Sequence, residues 1–300
     1  MRGPSEAGSR RSLRLDVALA PVMLAPASGL ESTVAIVVDV IRATTTLAVM
    51  FERGCRRVLV APDITTARAT RGRLPRALLA GEVNGAAPAG FDLGNSPAEV
   101  AAFPLADREV VFATTNGTRA MRACANARTV YAGSLRNASA VCAAALDDVI
   151  AHGGTLDATS DNSSPIRTGS SVPSEAGAGE QRADILIVCA GRGDHPATDD
   201  TLSAGYLCQE LRKGATDRGY AASLGEGARI ALAVLRDALA TGSLLDGLAT
   251  SDAARAITSI GLAADLDWCA STSAGHAVPR VTGRDEQGLL IIENVRPAIT

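Results

Sequence analysis

The sequence lacks the features that mark a membrane protein or a nucleic-acid-binding protein. No uncharged apolar run approaches the roughly 20 residues that a helix needs to cross a bilayer. The 29 basic and 32 acidic residues are spread along the chain and leave a formal net charge of −3. No basic stripe is therefore available for nucleic-acid phosphates or for an anionic membrane. These absences predict a soluble protein whose partner is a small molecule.

The sequence also lacks the spacing of a zinc site or a redox pair. It has six cysteines but no Cys-x-x-Cys, and none of its three histidines stands at a spacing typical of metal ligands. The cysteines are expected to be buried, reduced thiols of a cytoplasmic protein. They are Cys55, Cys124, Cys142, Cys189, Cys208 and Cys269.

Composition divides the chain into four segments. The chain has 300 residues, 47% of them hydrophobic, which is enough to form the hydrophobic core of one large or two moderate domains. This excludes a disordered chain and a disulfide-held miniprotein. Residues 1–14 are polar, lack the apolar core of a signal peptide, and are predicted to be a disordered tail. Residues 152–183 are rich in Gly, Ser, Thr and Asp and are predicted to be a low-complexity insertion or linker. They separate an N-terminal α/β lobe, residues 15–151, from a C-terminal α/β lobe, residues 184–300, that shares the active site.

Short apolar runs alternate with helical stretches on both sides of the insertion, which is typical of an α/β fold. The expected architecture is a layered sheet flanked by helices, in two lobes of strand–loop–helix units. The predicted strands are Val34–Val38, Arg57–Val60, Ala77–Ala80, Glu109–Ala113, Thr129–Tyr131, Ile185–Cys189, Ala277–Val281 and Leu289–Ile292. The predicted helices are Thr44–Arg53, Pro97–Ala102, Thr118–Ala125, Ala138–Ala151, Leu202–Lys213, Glu226–Thr241 and Leu244–Ile260. In an open parallel sheet the loops after the strands gather at one edge, where ligands bind.

One such loop, Thr114–Thr118, joins a predicted strand to a predicted helix. Its backbone N–H groups, the Thr115 hydroxyl and the Asn116 amide can surround an anion at the positive end of the helix, while Gly117 is free to turn. The alternative is a helix cap, in which Thr115 or Asn116 satisfies a free N–H group. The loop is neither a P-loop nor a dinucleotide-binding loop, because both need other glycine spacings.

A second loop places an acid and an arginine between a strand and a helix. Asp39 ends the strand and Arg42 precedes the helix, which suits a metal ligand or nucleophile beside a phosphate clamp. The alternative is a surface salt bridge between the two. Glu82 follows another strand, and Asn95 precedes a helix for which Ser96 is expected to be the cap. Neither Glu82 nor Asn95 has a comparable structural explanation, so both are interpreted as functional.

Two further acids, Asp199 and Asp200, lie just before another predicted helix. The attraction of an acid to the helix dipole is the favoured explanation for Asp199, whereas Asp200 is a candidate site residue. If Asp39, Glu82 and Asp200 converge, each pair about 4 Å apart repels by roughly 4 kcal/mol at an effective dielectric constant of 20, and a cation must offset this repulsion. Oxygen ligands without His or Cys select a hard ion, so the predicted metal is Mg²⁺.

Seven short motifs occur in an order that resembles one enzyme family. They are VVDVIRATTT, LLAGEVNG, GFDLGNSP, TTNGTRA, AGSLRNASA, the DD–SAG segment and the DLDWCA–VP tail, and they span residues 34–279. Together they resemble the 2-phosphosulfolactate phosphatases. The resemblance implies an α/β fold and a Mg²⁺-dependent acid phosphatase. In that family the substrate is (R)-2-phospho-3-sulfolactate, which is hydrolysed to sulfolactate and phosphate on the way to coenzyme M.

The resemblance supports a role in the site for residues at matching positions. Asp39, Arg42 and Asp200 are expected to be catalytic, and Asp39, Glu82 and Asp200 are expected to bind the metal. The residues expected to bind the substrate are Asn95, Ser96, Thr115, Asn116, Gly117, Thr118, Ser134 and Asn137. Asp265 also matches, whereas Asp199 stands where Glu is expected.

The expected mechanism is in-line attack on a phosphate monoester whose charge is shared by Mg²⁺ and Arg42. Asp39 either attacks phosphorus or positions a water, and the sequence leaves both roles open. A second arginine, Arg119 or Arg192, is needed to hold the sulfonate or carboxylate of an anionic substrate. The alternative function is a non-catalytic sensor of phosphorylated metabolites. A homodimer is the usual expectation for a cytoplasmic enzyme.

Overall fold

The computed structural model describes residues 11–24, 29–152 and 184–295. Within these ranges the chain forms ten strands and ten α-helices, which confirms the predicted α/β class. The strands are β1 (Ser12–Ala18), β2 (Val34–Val38), β3 (Arg57–Val60), β4 (Leu78–Gly81), β5 (Glu109–Ala113), β6 (Thr129–Gly133), β7 (Ile185–Cys189), β8 (Ala221–Leu224), β9 (Pro279–Arg284) and β10 (Leu290–Asn294). The helices are α1 (Ala43–Glu52), α2 (Ile64–Arg73), α3 (Pro97–Ala102), α4 (Gly117–Ala123), α5 (Ala138–Ala151), α6 (Thr198–Asp217), α7 (Glu226–Thr241), α8 (Leu244–Ala249), α9 (Asp252–Ser259) and α10 (Asp265–Ala270).

These strands form one mixed sheet in the order β4–β5–β3–β10–β9–β6–β2–β7–β1–β8. The first three strands are parallel to one another, and so are the last five. Between these two parallel blocks, β10 and β9 pair antiparallel with each other and with their outer neighbours. Three successive antiparallel pairings make the two blocks run in opposite directions.

Strand β2 shows why the sheet has a core on both faces. Its residues Val34, Ile36 and Val38 pack into one cluster with α5, α6 and α7, while Ala35 and Val37 pack into another with α1 and α4. Because successive side chains of a strand point to opposite faces, a strand covered on both sides must be apolar throughout. The continuous apolar run that predicts β2 is therefore explained by its two buried faces.

The amino-terminal prediction is wrong where the structure describes the chain. Residues 12–14, predicted to belong to a disordered tail, begin β1, while residues 1–10 lie outside the described residues. The alternating residues Leu13, Leu15 and Val17 are buried, and β1 pairs in parallel with both β7 and β8. The pattern that indicates this strand is only three apolar residues long, and its partners come from the far half of the chain.

Five further features differ from the predictions. Helices α2 and α10 and the edge strand β8 were not predicted, and α6 begins at Thr198 rather than at Leu202. The predicted helix Leu244–Ile260 is wrong as a single element, because it consists of α8 and α9. The Ser251 hydroxyl accepts the N–H of Ala254 and caps the second helix. A helix cap inside the apolar pattern thus divides it in two.

The predicted insertion, residues 152–183, lies outside the described residues except for His152. Strand β7, which follows it, lies between β2 and β1, which precede it. Strands of the two predicted lobes are therefore interleaved in one sheet, and the division of the chain into lobes stays a prediction. All six cysteines are buried and free, as expected. None of the described helices is long and apolar enough to cross a membrane.

Candidate active site

A cavity of about 620 Å³ lies where loops from both parallel blocks meet. Its wall includes Asp39 after β2, Glu82 after β4, Thr115 after β5 and Gly191 after β7, and Ser251 contributes from the turn between α8 and α9. Blocks that run in opposite directions would carry these loops on opposite edges of a flat sheet. The shortest pairing between the blocks is that of β6 with β9, which consists of the single residue pair Tyr131 and Arg280.

Asp39 lies at the wall of this cavity and is only 8% exposed. The backbone nitrogen of Ala43 lies 3.4 Å from its Oδ1 atom. A Cβ atom added at Gly117 would stand 2.8 Å from Oδ2, so glycine lets the loop after β5 approach the carboxylate. Burial raises the pKa of Asp39 to about 7, and the negative charges of Asp199 and Glu82 contribute to the rise.

Asp200 is the acid that holds two of the loops together. Its Oδ1 accepts the N–H of Val40 at 2.9 Å and its Oδ2 accepts the N–H of Gly191 at 2.9 Å. Burial, followed by the charges of Asp199 and Asp39, raises the pKa of Asp200 well above its ordinary value. With both oxygens engaged, Asp200 positions the loops after β2 and β7.

Asp199 is a cavity residue that the sequence interpretation missed. The structure buries it in the first turn of α6, at the cavity wall. Burial raises the pKa of Asp199 to about 6, with Asp252 adding to the effect and Arg192 opposing it. An acid can complement the helix dipole while it remains exposed to solvent. The burial of Asp199 therefore needs a further explanation beyond the dipole preferred from the sequence. The sequence signal that could have indicated Asp199 is its position next to Asp200, since two adjacent acids begin the same helix.

Arg42 reaches the cavity from a buried position. Its Nη1 donates to Asp265 Oδ2 at 2.9 Å, and the two side chains are 2% and 1% exposed. Its Nη2 donates to the carbonyl of Gly85 at 2.6 Å. The other oxygen of Asp265 accepts the hydroxyl of Ser96 at 2.6 Å. The alternative of a surface salt bridge between Asp39 and Arg42 is wrong, because Arg42 pairs with a buried acid of α10.

Glu82 is hydrogen-bonded to the loop after β5. Its Oε1 accepts both the N–H and the hydroxyl of Thr115, at 2.9 and 2.8 Å, and its Oε2 accepts the N–H of Gly85 at 2.8 Å. The Thr115 groups that were expected to hold an anion therefore already hold a carboxylate of the protein itself. This pairing ties the loops after β4 and β5 to each other.

Two polar side chains of the cavity wall carry buried atoms without a partner among the described residues. The Oδ1 atom of Asn95, a residue only 5% exposed, accepts no hydrogen bond there. Arg119 donates from Nη1 to Asp194 at 2.8 Å, while its buried Nε and Nη2 have no acceptor there. Because a buried polar atom without a partner costs about 1–3 kcal/mol, these atoms at the cavity wall are candidates for contact with a ligand.

The chain matches the family model described as 2-phosphosulpholactate phosphatase over residues 21–151 and 170–284. The chain belongs to this family. Among curated proteins it is similar to the probable 2-phosphosulfolactate phosphatase of Thermus thermophilus, at 35% identity over 86% of this chain and 91% of the relative. The corresponding protein of Deinococcus radiodurans is 34% identical over 84% and 89% of the two chains. That of Carboxydothermus hydrogenoformans is 26% identical over 95% and 99%.

Not all residues that resemblance to the 2-phosphosulpholactate phosphatase family suggested as substrate ligands line the cavity. Asn95, Thr115 and Asn116 do. Ser134 and Asn137 do not: they are fully buried and bonded to each other, with Asn137 Oδ1 accepting the Ser134 N–H at 2.8 Å. The amide of Asn137 also donates to two backbone carbonyls, so the structure assigns this pair to holding strands together.

Three more expected substrate ligands lie behind the cavity wall. Ser96 hydrogen-bonds Asp265 and caps α3, and Thr118 exchanges hydrogen bonds with Thr114. Gly117 packs against Asp39. Motif matching found these residues because they shape the site, although their side chains do not face the space where a ligand fits.

The expected metal set of this family member includes side chains that already have partners. Within the described residues no group of three or more His, Cys, Asp or Glu side chains is placed to hold a metal ion. The predicted set of Asp39, Glu82 and Asp200 stays a prediction, in which Glu82 is already bonded to Thr115 and Gly85. The remaining carboxylates still fit a hard cation, since Asp39 and Asp199 are buried acids whose pKa values burial raises. Mg²⁺ is commonly held by one or two carboxylates together with water and substrate phosphate.

Proposed function

We propose that this chain is a Mg²⁺-dependent phosphatase that hydrolyses a small anionic phosphate monoester, with 2-phosphosulfolactate as the expected substrate. Membership of the family supports the reaction class. The names of the relatives in Thermus thermophilus and Deinococcus radiodurans support the substrate. The observation that carries the proposal is Asp39, a buried carboxylate at the wall of a cavity that Arg42 also lines.

Asp39 is the group assigned to the chemical step. It either attacks phosphorus or takes a proton from an attacking water, and both roles require the deprotonated carboxylate. In the metal-free protein, burial and the charges of Asp199 and Glu82 raise its pKa to about 7. Asp200 is assigned a different role from the one expected, because both its oxygens already accept backbone N–H groups.

Arg42 is assigned to the developing negative charge on the phosphoryl group. A guanidinium held by Asp265 and by the Gly85 carbonyl keeps its orientation before the substrate arrives, which is the arrangement that electrostatic stabilisation requires. The unpartnered Oδ1 of Asn95 is assigned to a donor group of the ligand.

Asp39 and Asp199 are the residues assigned to hold Mg²⁺. Bound there, the ion would neutralise charge on phosphate oxygens and offset the repulsion between the two acids. Asp199 replaces Glu82 and Asp200 in this assignment, because their oxygens already have partners within the protein.

The test is phosphate release from 2-phosphosulfolactate by the full chain, with Mg²⁺, with EDTA, and with Mg²⁺ restored in excess. We expect release that EDTA abolishes and Mg²⁺ restores. Release that EDTA leaves unchanged would overturn the metal assignment, while binding of the compound without release would favour the alternative function, a phosphometabolite sensor. Phospholactate and phosphoglycerate, tested beside it, measure how far the expected substrate is preferred.

A further inference from the structure

We propose that Arg119 binds a second anionic group of the substrate, a carboxylate or a sulfonate, through the edge of its guanidinium formed by Nε and Nη2. This proposal deepens the proposed function, on which it rests, by assigning the residue that selects substrates with two anions. The sequence alone left Arg119 and Arg192 as equal candidates for that role.

The free edge of Arg119 is the first observation. Both Nε and Nη2 are buried atoms, and neither has an acceptor among residues 11–24, 29–152 and 184–295. They belong to a side chain that lines the cavity. Nε and Nη2 point in nearly parallel directions, so together they match the two oxygens of one oxyanion.

The opposite end of the guanidinium is tethered. Nη1 donates at 2.8 Å to Oδ1 of Asp194, which lies in the loop between β7 and α6. The Arg119 and Asp194 side chains are 40% and 72% exposed, so this pair keeps contact with solvent. The tether orients the side chain before a ligand arrives, which reduces the ordering cost of binding.

The same chain contains a completed example of this geometry. The Nε atom of Arg136 donates to Oε1 of Glu52 at 3.1 Å, and its Nη2 atom donates to Oε2 at 2.8 Å. At Arg119 the corresponding two donors have no protein carboxylate. A carboxylate or sulfonate of a ligand would complete the same pairing at Arg119.

The other arginines of the cavity are engaged or exposed. Arg42 has committed Nη1 to Asp265 and Nη2 to the Gly85 carbonyl. Arg255 pairs with Asp252 at the rim, and Arg192 is exposed. Among the described residues, Arg119 is therefore the arginine of the cavity wall with two buried donors left for a second anion.

The catalytic test compares selectivity in Arg119→Gln, Arg119→Lys and the wild type. The substrates are 2-phosphosulfolactate and phenyl phosphate, which has no second anion. We expect Arg119→Gln to lower kcat/KM for 2-phosphosulfolactate about 10- to 100-fold more than for phenyl phosphate, with most of the loss in KM. Arg119→Lys should recover only part of the selectivity, because an ammonium lacks the two parallel donors. Arg236→Gln, an exposed position on α7, is the matched control.

A binding measurement separates this proposal from the proposed function. Titration calorimetry with sulfolactate, which carries a carboxylate and a sulfonate but no phosphate, should show a Kd at least about tenfold weaker in Arg119→Gln than in the wild type. Such weakening in a protein that hydrolyses no phosphate ester would overturn the phosphatase function and support Arg119. Equal Kd values, equal losses on both substrates, or a wild type that does not bind sulfolactate would each overturn the role of Arg119.

Discussion

The guanidinium of Arg42 and the carboxylate of Asp265 form an ion pair of 2.9 Å from which water is excluded. The two residues are 223 positions apart in the chain. The pair joins the loop after β2 to α10, and Ser96 at the start of α3 donates to the same carboxylate. One buried acid thus orients the arginine assigned to the phosphoryl group and fastens two distant segments to it.

Replacing Asp265 with Asn should damage both stability and turnover. The charge of Arg42 would remain buried without a counter-charge, which costs about 3–5 kcal/mol. Denaturant unfolding and kcat/KM measure the two effects. Ser96→Ala, which keeps the ion pair but removes the hydrogen bond to Asp265 and the cap of α3, should cost less, about 1–2 kcal/mol. Equal stabilities of Asp265→Asn and the wild type would contradict the importance of the pair.

Replacing Asp39 with Asn should lower kcat by about 10²–10⁴-fold, because the amide neither accepts a proton nor attacks phosphorus at neutral pH. Phosphate-release assays check this, with Asp237→Asn on the exposed side of α7 as the control. The folded structure should persist, since no other charged group depends on Asp39 as its ion-pair partner among the described residues. Turnover near the wild-type value would show that Asp39 is not the reacting group.

Replacing Asp200 with Asn should lower the free energy of unfolding by about 1–3 kcal/mol. Asn has one acceptor oxygen, so the N–H of either Val40 or Gly191 would face the amide NH₂ group. Thermal melting of the metal-free protein gives the readout. A Tm above that of the wild type would mean that relief of acid–acid repulsion outweighs the two hydrogen bonds.

The metal-free protein should be more stable at pH 5 than at pH 8. Folding raises the pKa of Asp39 from 3.8 to about 7 and that of Asp199 from 3.8 to about 6, so the folded state binds protons more tightly than the unfolded state. This contribution is fully present below pH 3.8 and is lost as the pH rises through 6 and 7. Melting curves at a series of pH values should show Tm falling across that window. Asp39→Asn should flatten the fall, and an unchanged slope in that variant would contradict the assignment.

Deletion of residues 155–180 should leave phosphatase activity within about twofold of the full chain. Their polar composition supports no core, and the site residues lie outside them. The match to the family model also omits residues 152–169. Steady-state kinetics and circular dichroism of the deletion variant check this, and a folded variant without activity would assign the segment a part in the site.

The local patterns of the sequence were sufficient for several of these features. The apolar run Val34–Val38 predicts a buried strand, and Asp39, which follows it, lies at the cavity wall. Glu82, Asn95 and Thr115 were found for a similar reason, because each follows a strand or precedes a helix at the edge where loops meet. The contacts of these residues could not be predicted in the same way. The hydrogen bond between Glu82 and Thr115 joins two loops, and such a bond leaves no pattern in either stretch of sequence.

By itself the sequence determined the α/β class, the family and the segments that supply the site, because apolar periodicity and ordered motifs are properties of short stretches. Tertiary structure alone decided which polar groups find partners. It paired Arg42 with Asp265, buried Asp199, enclosed Asn137 away from the cavity, and left one edge of Arg119 without an acceptor among the described residues. The ion pairs of Arg42 with Asp265 and of Arg119 with Asp194 join segments that are distant in the chain. Pairs that form by packing of distant segments produce no periodic pattern in the sequence, so the sequence does not predict them.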